Sequence, residues 1–270
     1  MPTAAASQTP TAPAASRPAT PWVATRLWQL ASVVGLFGIW EIAGRLSINV
    51  AFPTFTATMA AFVQMLLDGS MIAAYAETLQ PLVLGVLIAA AIGIVTGLLM
   101  GMSRLAEWLL VPIFVVVQAA PMAAFIPLIT FVYGIGLLAK TLAVIMLALP
   151  VIALNGYKAV RNVNPSLLDM ARSFQASPMQ RVLKVTIPDA STVLFAGLRL
   201  GVAAGFIGVV LAELLITPTG VGDLISYHSS VANFAHMYAT VLSIIVLATL
   251  VLAAMQAFEV RVLRPEKRRS

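Results

Sequence analysis

Long apolar runs alternate with short polar segments along most of the chain, and six of the runs are long enough to cross a membrane. A helical span needs about 20 predominantly apolar residues, because the hydrocarbon core of a bilayer is about 30 Å thick. A chain that crosses lipid several times in this way is expected to be helical, since helices satisfy their own backbone hydrogen bonds. The pattern predicts an all-α polytopic membrane protein with a transmembrane domain over residues 27–260. Its predicted spans are 27–46, 81–102, 108–131, 138–155, 193–216 and 238–259.

The composition supports a membrane protein and narrows its chemistry. Of 270 residues, 60% are hydrophobic and only 10% are charged, whereas soluble domains are about 25% charged. The net charge of +6 does not indicate a nucleic-acid partner, because the basic residues flank apolar spans. The absence of cysteine from the sequence excludes disulfides, thiolate metal sites and cysteine nucleophiles.

The distribution of basic residues predicts the orientation. Residues 1–26 are rich in Pro, Ala, Ser and Thr and contain no acidic residue, so we expect a disordered tail. Residues 261–270 form a basic tail. If both tails are cytoplasmic, all of the 16 Lys and Arg residues except Arg45 and Lys140 lie on or near the cytoplasmic side. The polar segment 157–189 is then cytoplasmic as well.

Small residues and prolines mark three of the predicted spans. In the second and fifth spans they recur at every fourth position, a spacing that lets helices approach closely in lipid. The third span contains three prolines and is expected to be kinked. Gln118 and Pro121 of the kinked span and Glu213 of the fifth span are candidates for the lining of a solute path. The alternative for the kinked span is a kink that only serves helix packing. The alternative for Glu213 is a carboxylate at the membrane interface without a role in transport. The small residues are Gly85, Ala89, Gly93, Gly97, Gly101, Gly197, Gly201 and Gly205.

Two other patterns in the sequence are similar to a phosphate-binding loop and to a metal site, but neither is complete. The run G-I-G-L-L-A-K-T, residues 134–141, lacks the second glycine of a phosphate-binding loop and follows no predicted strand. His228 and His236 are the only histidines, and a metal site needs three or four converging ligands. We therefore predict no catalytic residue, no metal and no cofactor.

The polar segment 157–189 contains two helix starts. Asn164 and Ser177 can each cap a helix, and each is followed by a proline suited to the first helical position. The first helix is expected to align an apolar stripe of Leu167, Met170 or Ala171, and Phe174, and Pro188 is expected to end the second. An exposed apolar stripe requires a partner; a solvated loop between spans is the plainer alternative.

The same segment resembles the cytoplasmic signature loop of ABC importer permeases, E-A-A-x-x-x-G-x9-I-x-L-P. Asp169, Met170 and Ala171 match its opening, and Gln175 falls on its glycine. Val185, with the pair at 187–188, falls on its closing motif. The runs I-P-L-I-T-F-V-Y-G-I-G-L-L-A-K and A-G-L-R-L-G resemble the nitrate, sulfonate and taurine group of these permeases. The likeness extends from about residue 53 to the end of the sixth span.

The resemblance implies a type I importer permease in a bacterial inner membrane, with both termini cytoplasmic. Such a subunit is not an enzyme: a cytoplasmic ABC ATPase hydrolyses ATP, and an extracytoplasmic solute-binding protein delivers the solute. It also implies a homodimer and a small anionic solute such as nitrate, a sulfonate or taurine, although relatives of this type also carry heterocyclic and aromatic compounds. The loop residues that would couple to the ATPase are Asp169, Met170, Ala171, Phe174, Gln175, Ile187 and Pro188.

The loop departs from the family signature at two positions, and the sequence also allows a second function. Asp169 replaces glutamate but keeps its charge. Gln175 replaces a glycine, and a side chain in a left-handed turn costs roughly 1–2 kcal/mol, so the turn is expected to differ from that of the family. A self-sufficient secondary transporter or channel is the alternative function. Such carriers usually place several ionisable groups at mid-membrane, and here only Glu213 comes close.

Overall fold

The computed structural model describes residues 22–46, 49–216 and 218–263, and this part of the chain contains helices but no strand. Most of the predicted N-terminal tail, residues 1–21, and the basic residues 264–270 lie outside the described part. Residues 22–26 were assigned to the tail but belong to the first helix. The helices are α1 Trp22–Arg45, α2 Phe55–Leu67, α3 Ser70–Met102, α4 Arg104–Ala119, α5 Ile126–Tyr133, α6 Leu137–Arg161, α7 Pro165–Ser173, α8 Pro178–Arg181, α9 Ile187–Leu215, α10 Val221–Ser230 and α11 Phe234–Leu263.

The protein is an all-α polytopic membrane protein, as the apolar pattern predicts. Four helices of the described chain are long and apolar enough to cross a membrane, and α4 with α5 adds a fifth if this bent pair is one span. The predicted first span falls on α1, which is not among these five. The number six therefore stays a prediction. The four long helices are Ser70–Met102, Leu137–Arg161, Pro178–Leu215 and Phe234–Arg261.

The centre of the bundle is formed by α3, α6 and α9. The predicted small-residue faces are confirmed, because they lie where these helices touch. A Cβ atom on Gly97 would come within 2.7 Å of the carbonyl oxygen of Ala153 and 2.9 Å of the Cα of Gly156. Gly93 and Gly205 are equally close to side chains of α6 and α3, and Ala89 is completely buried. The backbones of these helices are therefore closer together than they could be if larger side chains replaced the glycines.

The predicted third span is broken, not merely kinked. Its two parts, Arg104–Ala119 and Met122–Tyr133, meet at an angle of 85°. The residue before Pro121 is extended, as residues before proline commonly are, and a short 3₁₀ helix, Met122–Phe125, follows. Pro127 then lies in the first turn of α5, where its missing N–H is not needed.

The second predicted span begins too late. Its helix, α3, starts at Ser70 and contains Pro81 in its interior, fully buried. The chain enters α3 through Gly69, which has a left-handed φ of 79° and separates it from α2. Packing of the surrounding helices therefore stabilises α3 through Pro81, although proline usually kinks or ends a helix.

Candidate functional site

The polar segment folds into two capped helices, as predicted. The Oδ1 atom of Asn164 accepts a hydrogen bond from the backbone N–H of Ser166 at 3.0 Å, and Pro165 opens α7. Ser177 and Gln180 form a complete capping box, in which each side chain accepts from the other residue's backbone N–H. Both caps satisfy donors that a helix start leaves free. The segment is therefore an ordered element.

The turn after α7 has the geometry that the family glycine would favour, although a glutamine occupies it. Gln175 has a φ of 53°. The N–H of Ala176 donates to the carbonyl of Ala171, and the N–H of Gln175 donates to that of Arg172, both at 2.9 Å. This pair of bonds is the Schellman motif that ends many helices. Gln175 thus adopts the left-handed conformation in spite of its side chain.

The apolar stripe of α7 is divided between two environments. Phe174 is 81% exposed and Met170 is 49% exposed. Ala171, in contrast, is buried within the chain, and Leu167 is half-buried. The prediction of one exposed stripe is wrong for Ala171, because that face of α7 packs back onto the bundle. Of the stripe residues, only Met170 and Phe174 are exposed enough to contact a partner.

Pro188 does not end the second helix. Residues 182–186 form a π segment, and helix continues from Pro178 to Leu215. The N–H of Ile187 donates to the carbonyl of Val182, five residues earlier. The wider turn precedes Pro188, which lies in the first turn of α9 and is exposed, while Ile187 is half-buried. A π bulge of this kind tolerates a proline that lacks an N–H.

Two acidic side chains of the loop make contacts within it. Asp189, at the start of α9, accepts a hydrogen bond from the backbone N–H of Asn164 at 3.0 Å and so ties the two ends of the loop together. Asp169 pairs with Arg172 at 2.9 Å, on a well-exposed surface. Exposed pairs of this type contribute little stability, so Asp169 is held weakly. The sequence analysis missed Asp189, although a carboxylate in the first turn of a helix signals such a role.

A second polar cluster lies at the opposite end of the bundle, and the ion pair at its centre is buried. The Nζ of Lys140 lies 2.9 Å from Oε1 of Glu213, and the two side chains are 3% and 0% exposed. The same Nζ donates to the carbonyl oxygen and the hydroxyl of Thr219 at 3.2 and 2.9 Å. The ammonium group thus uses all three of its protons.

The carboxylate of Glu213 is equally well satisfied. The hydroxyl of Thr78 lies 2.9 and 3.0 Å from its two oxygens and shares its single proton between them, and the N–H of Gly222 donates to it at 3.0 Å. The hydroxyl of Thr78 in turn accepts from the N–H of Val221 at 3.0 Å. A Cβ on Gly220, whose φ is 92°, would collide with this carboxylate. The network joins α3, α6, α9 and the start of α10.

This network changes two sequence-based interpretations. Glu213 is a predicted candidate for the solute path, with an interfacial carboxylate as the alternative. Its carboxylate is already occupied by donors from the protein, which indicates a structural role. Lys140 was expected on the outer side but not in a buried pair. A signal was available: single opposite charges in separate apolar spans are usually paired with each other. Residues 134–141 open α6 without a preceding strand, in keeping with the rejection of a phosphate-binding loop.

The other candidate residues do not join Glu213. Gln118 and Pro121 are exposed at the break between α4 and the 3₁₀ helix. The rings of His228 and His236 lie with their centroids 5.0 Å apart in the region of α10 and α11. Within the described residues, no group of three or more His, Cys, Asp or Glu side chains converges.

The fold and the loop together define an integral membrane transport subunit, in which a capped polar helix interrupts a bundle of spans. The chain belongs to the family of binding-protein-dependent transport system inner membrane components, whose family model matches residues 89–264. It is thus the permease subunit of an ABC importer.

Individual relatives agree with this assignment. A probable ABC transporter permease protein of Haemophilus influenzae is 30% identical over 225 residues, which cover 82% of this chain and 90% of the relative. The putative aliphatic sulfonates transport permease protein SsuC of Bacillus subtilis is 28% identical over 70% of each chain. A chain of the MetNI methionine ABC transporter, in an inward-facing conformation, superposes with a TM-score of 0.59. That match has 19% identity and covers 73% of this chain and 98% of the other, so it supports the fold alone.

Proposed function

We propose that the loop 157–189 couples this permease to a cytoplasmic ABC ATPase. The observation that supports this role is the exposed pair Met170 and Phe174 on α7, a helix that is capped at its start and closed by a hydrogen-bonded turn at its end. A large exposed aromatic side chain on such an element is the type of group that fills a pocket on a partner. Asp169 and Arg172 beside this pair would supply the polar rim.

The remaining parts of the proposal follow from the orientation and the family. Both termini and the loop face the cytoplasm, where ATP is available, and the end that carries the Lys140–Glu213 pair faces outward. A solute-binding protein approaches the outer end, and two copies of the chain enclose the path. Gln118 and Pro121, exposed beside a break in the third span, are the positions at which a path would be lined.

The proposed solute is a small anion. This rests on the resemblance to the nitrate, sulfonate and taurine group and on the relative named for aliphatic sulfonates. Growth of a deletion strain on taurine, alkanesulfonates or nitrate as the sole sulfur or nitrogen source distinguishes among these solutes. Restored growth after complementation identifies the one that this chain carries.

The coupling role is tested by Phe174→Asp. A charge placed in the centre of an interface is desolvated without a partner, and loss of an anchor of this kind costs about 2 kcal/mol, or about thirtyfold in affinity. We expect the variant to insert normally, because Phe174 is 81% exposed and supports no internal packing. Co-purification of the ATPase and solute uptake should both fall.

Tyr227→Asp is the matched control, since Tyr227 is an aromatic residue of α10 that is 57% exposed and far from the loop in the fold. It should retain the ATPase. Ala171→Glu is a poor test, because Ala171 is buried within the chain and its replacement would disturb α7 itself. If Phe174→Asp keeps full co-purification and full uptake, the loop is only a linker.

A further inference from the structure

A pocket of about 460 Å³ lies between the loop and the ends of two spanning helices. Three arginines from different elements line it: Arg161 at the end of α6, Arg172 on α7 and Arg181 on α8. We call it the arginine pocket. None of the residues that line it is acidic. Like charges around one cavity repel one another, and an anion that enters the cavity would relieve this repulsion.

The acidic groups nearby compensate these charges only in part. Glu107 lies 3.9 Å from Arg161 and also accepts a hydrogen bond from the hydroxyl of Tyr157. Asp169 pairs with Arg172 on the exposed surface. Arg181 forms no ion pair with a described acidic side chain, and its Nε atom is buried without a hydrogen-bond partner there. A buried donor in this state calls for an acceptor.

The position of the pocket indicates where the acceptor comes from. Gly101 and Met102, the last residues of α3, form part of its wall, so it opens at the end of a spanning helix. An adjoining cavity of about 620 Å³ shares Arg161 and is lined by Arg104 and Trp108. Trp108 is 80% exposed. Tryptophan next to arginine is typical of the headgroup level of a bilayer.

We propose that the arginine pocket binds a phosphate group at the membrane surface. Guanidinium groups suit phosphate because their planar N–H forks donate two parallel hydrogen bonds. Basic pockets between spanning helices bind the headgroups of anionic lipids in this way. The phosphate is supplied by an anionic lipid such as phosphatidylglycerol or by free phosphate from solution. Binding would join α7 and α8 to the ends of α3 and α6, and so hold the loop in the orientation described above.

The test uses the full-length chain in nanodiscs that contain phosphatidylcholine with or without phosphatidylglycerol. Retained lipid is counted by native mass spectrometry after transfer to detergent, and thermal unfolding is followed in both membranes. Arg181→Gln and Arg161→Gln each remove one charge from the pocket. Lys158→Gln is the matched control, because Lys158 is exposed on α6, one turn from Arg161, and does not line the pocket.

We expect the wild-type chain and Lys158→Gln to retain phosphatidylglycerol and to unfold at a higher temperature when it is present. Each arginine variant should retain about fivefold less and lose the thermal shift. Arg181→Lys, which keeps the charge but not the fork, should retain an intermediate amount. If Arg181→Gln fails to fold, Arg161→Gln carries the test by itself, because the Arg161 side chain is 56% exposed.

Titration with inorganic phosphate and with short-chain phosphatidylglycerol distinguishes the two sources. Stabilisation by the lipid alone assigns the site to a headgroup, and stabilisation by millimolar phosphate alone assigns it to a soluble anion. The proposal is overturned if all variants bind phosphatidylglycerol equally, or if Lys158→Gln loses as much as Arg181→Gln. It is also overturned if Arg181→Gln keeps its lipid but loses the ATPase, since the pocket then accepts a protein carboxylate.

Discussion

Gln175 is strained at a position where the family signature has glycine. Its φ of 53° is one that side chains with a Cβ adopt reluctantly. The two Schellman hydrogen bonds hold it there. The substitution therefore affects the stability of the loop, not its shape.

Gln175→Gly should stabilise the protein by about 1 kcal/mol, because glycine adopts the left-handed conformation without a steric cost. Thermal unfolding of the purified chain measures the change. Ser173→Gly is the contrasting control, since Ser173 is the last helical residue of α7 and glycine has a low helix propensity, which should lower the melting temperature. A lower melting temperature for Gln175→Gly would show that the glutamine side chain makes a compensating contact.

The Lys140–Glu213 pair is the second residue-scale feature with a measurable consequence. Lys140→Met leaves a carboxylate buried with one partner fewer, and breaking a buried pair costs about 3 kcal/mol or more. The double variant Lys140→Met with Glu213→Gln removes both charges and should be more stable than Lys140→Met alone. Unfolding in detergent compares the variants. Lys158→Met, at an exposed site, should change little; an equal loss there would argue against the buried pair.

Local and distant interactions differ in how well the sequence predicts them. The caps at Asn164 and Ser177 were predicted because each depends on residues two or three positions away. The partner of Glu213 was not, because Lys140 lies 73 positions earlier and no local pattern connects the two. Ala171 was misplaced for the same reason: helical spacing shows which residues share a face but not what that face meets.

At the scale of elements, prolines were recognised but their effects depended on packing. Pro81 remains inside α3, Pro121 coincides with an 85° break, and Pro188 follows a π segment. A proline removes one hydrogen bond in every case, and the neighbouring helices decide whether the chain bends there. The glycine faces were more predictable, because close helix contact admits few other residues.

Gly97→Leu should separate α3 from α6. A Cβ alone would lie 2.7 Å from the carbonyl of Ala153, so the larger side chain forces the backbones apart. We expect a loss of about 2 kcal/mol or more and reduced yield of folded protein. Size-exclusion profiles and unfolding curves report both. Gly38→Leu is the control, since a Cβ at Gly38 of α1 meets no atom within 4 Å. Equal tolerance of both changes would contradict the close contact.

At the scale of the whole molecule, the all-α class and the family were predicted from hydropathy and one loop motif. The orientation rests on the distribution of basic residues. It predicts that a cysteine at Ser173, in the loop, reacts with an impermeant thiol reagent only after the membrane is opened. A cysteine at Ser229, on α10, should react from outside. Both serines are exposed, and the natural chain contains no cysteine, so labelling is unambiguous. The reverse labelling pattern would show that the protein has the opposite orientation, with the loop on the side of the membrane away from the ATPase.

The continuous helix from Pro178 to Leu215 has a mechanical consequence. Its 38 residues measure about 57 Å if straight, at 1.5 Å per residue. One end carries the loop, and the other is clamped at Glu213. A rod held in this way acts as a lever with its fulcrum at the far end. A tilt of about 5° moves the near end by about 5 Å, close to one helical turn, while the clamp barely shifts. The π segment, with its wider hydrogen-bonding register, is where the rod would flex first.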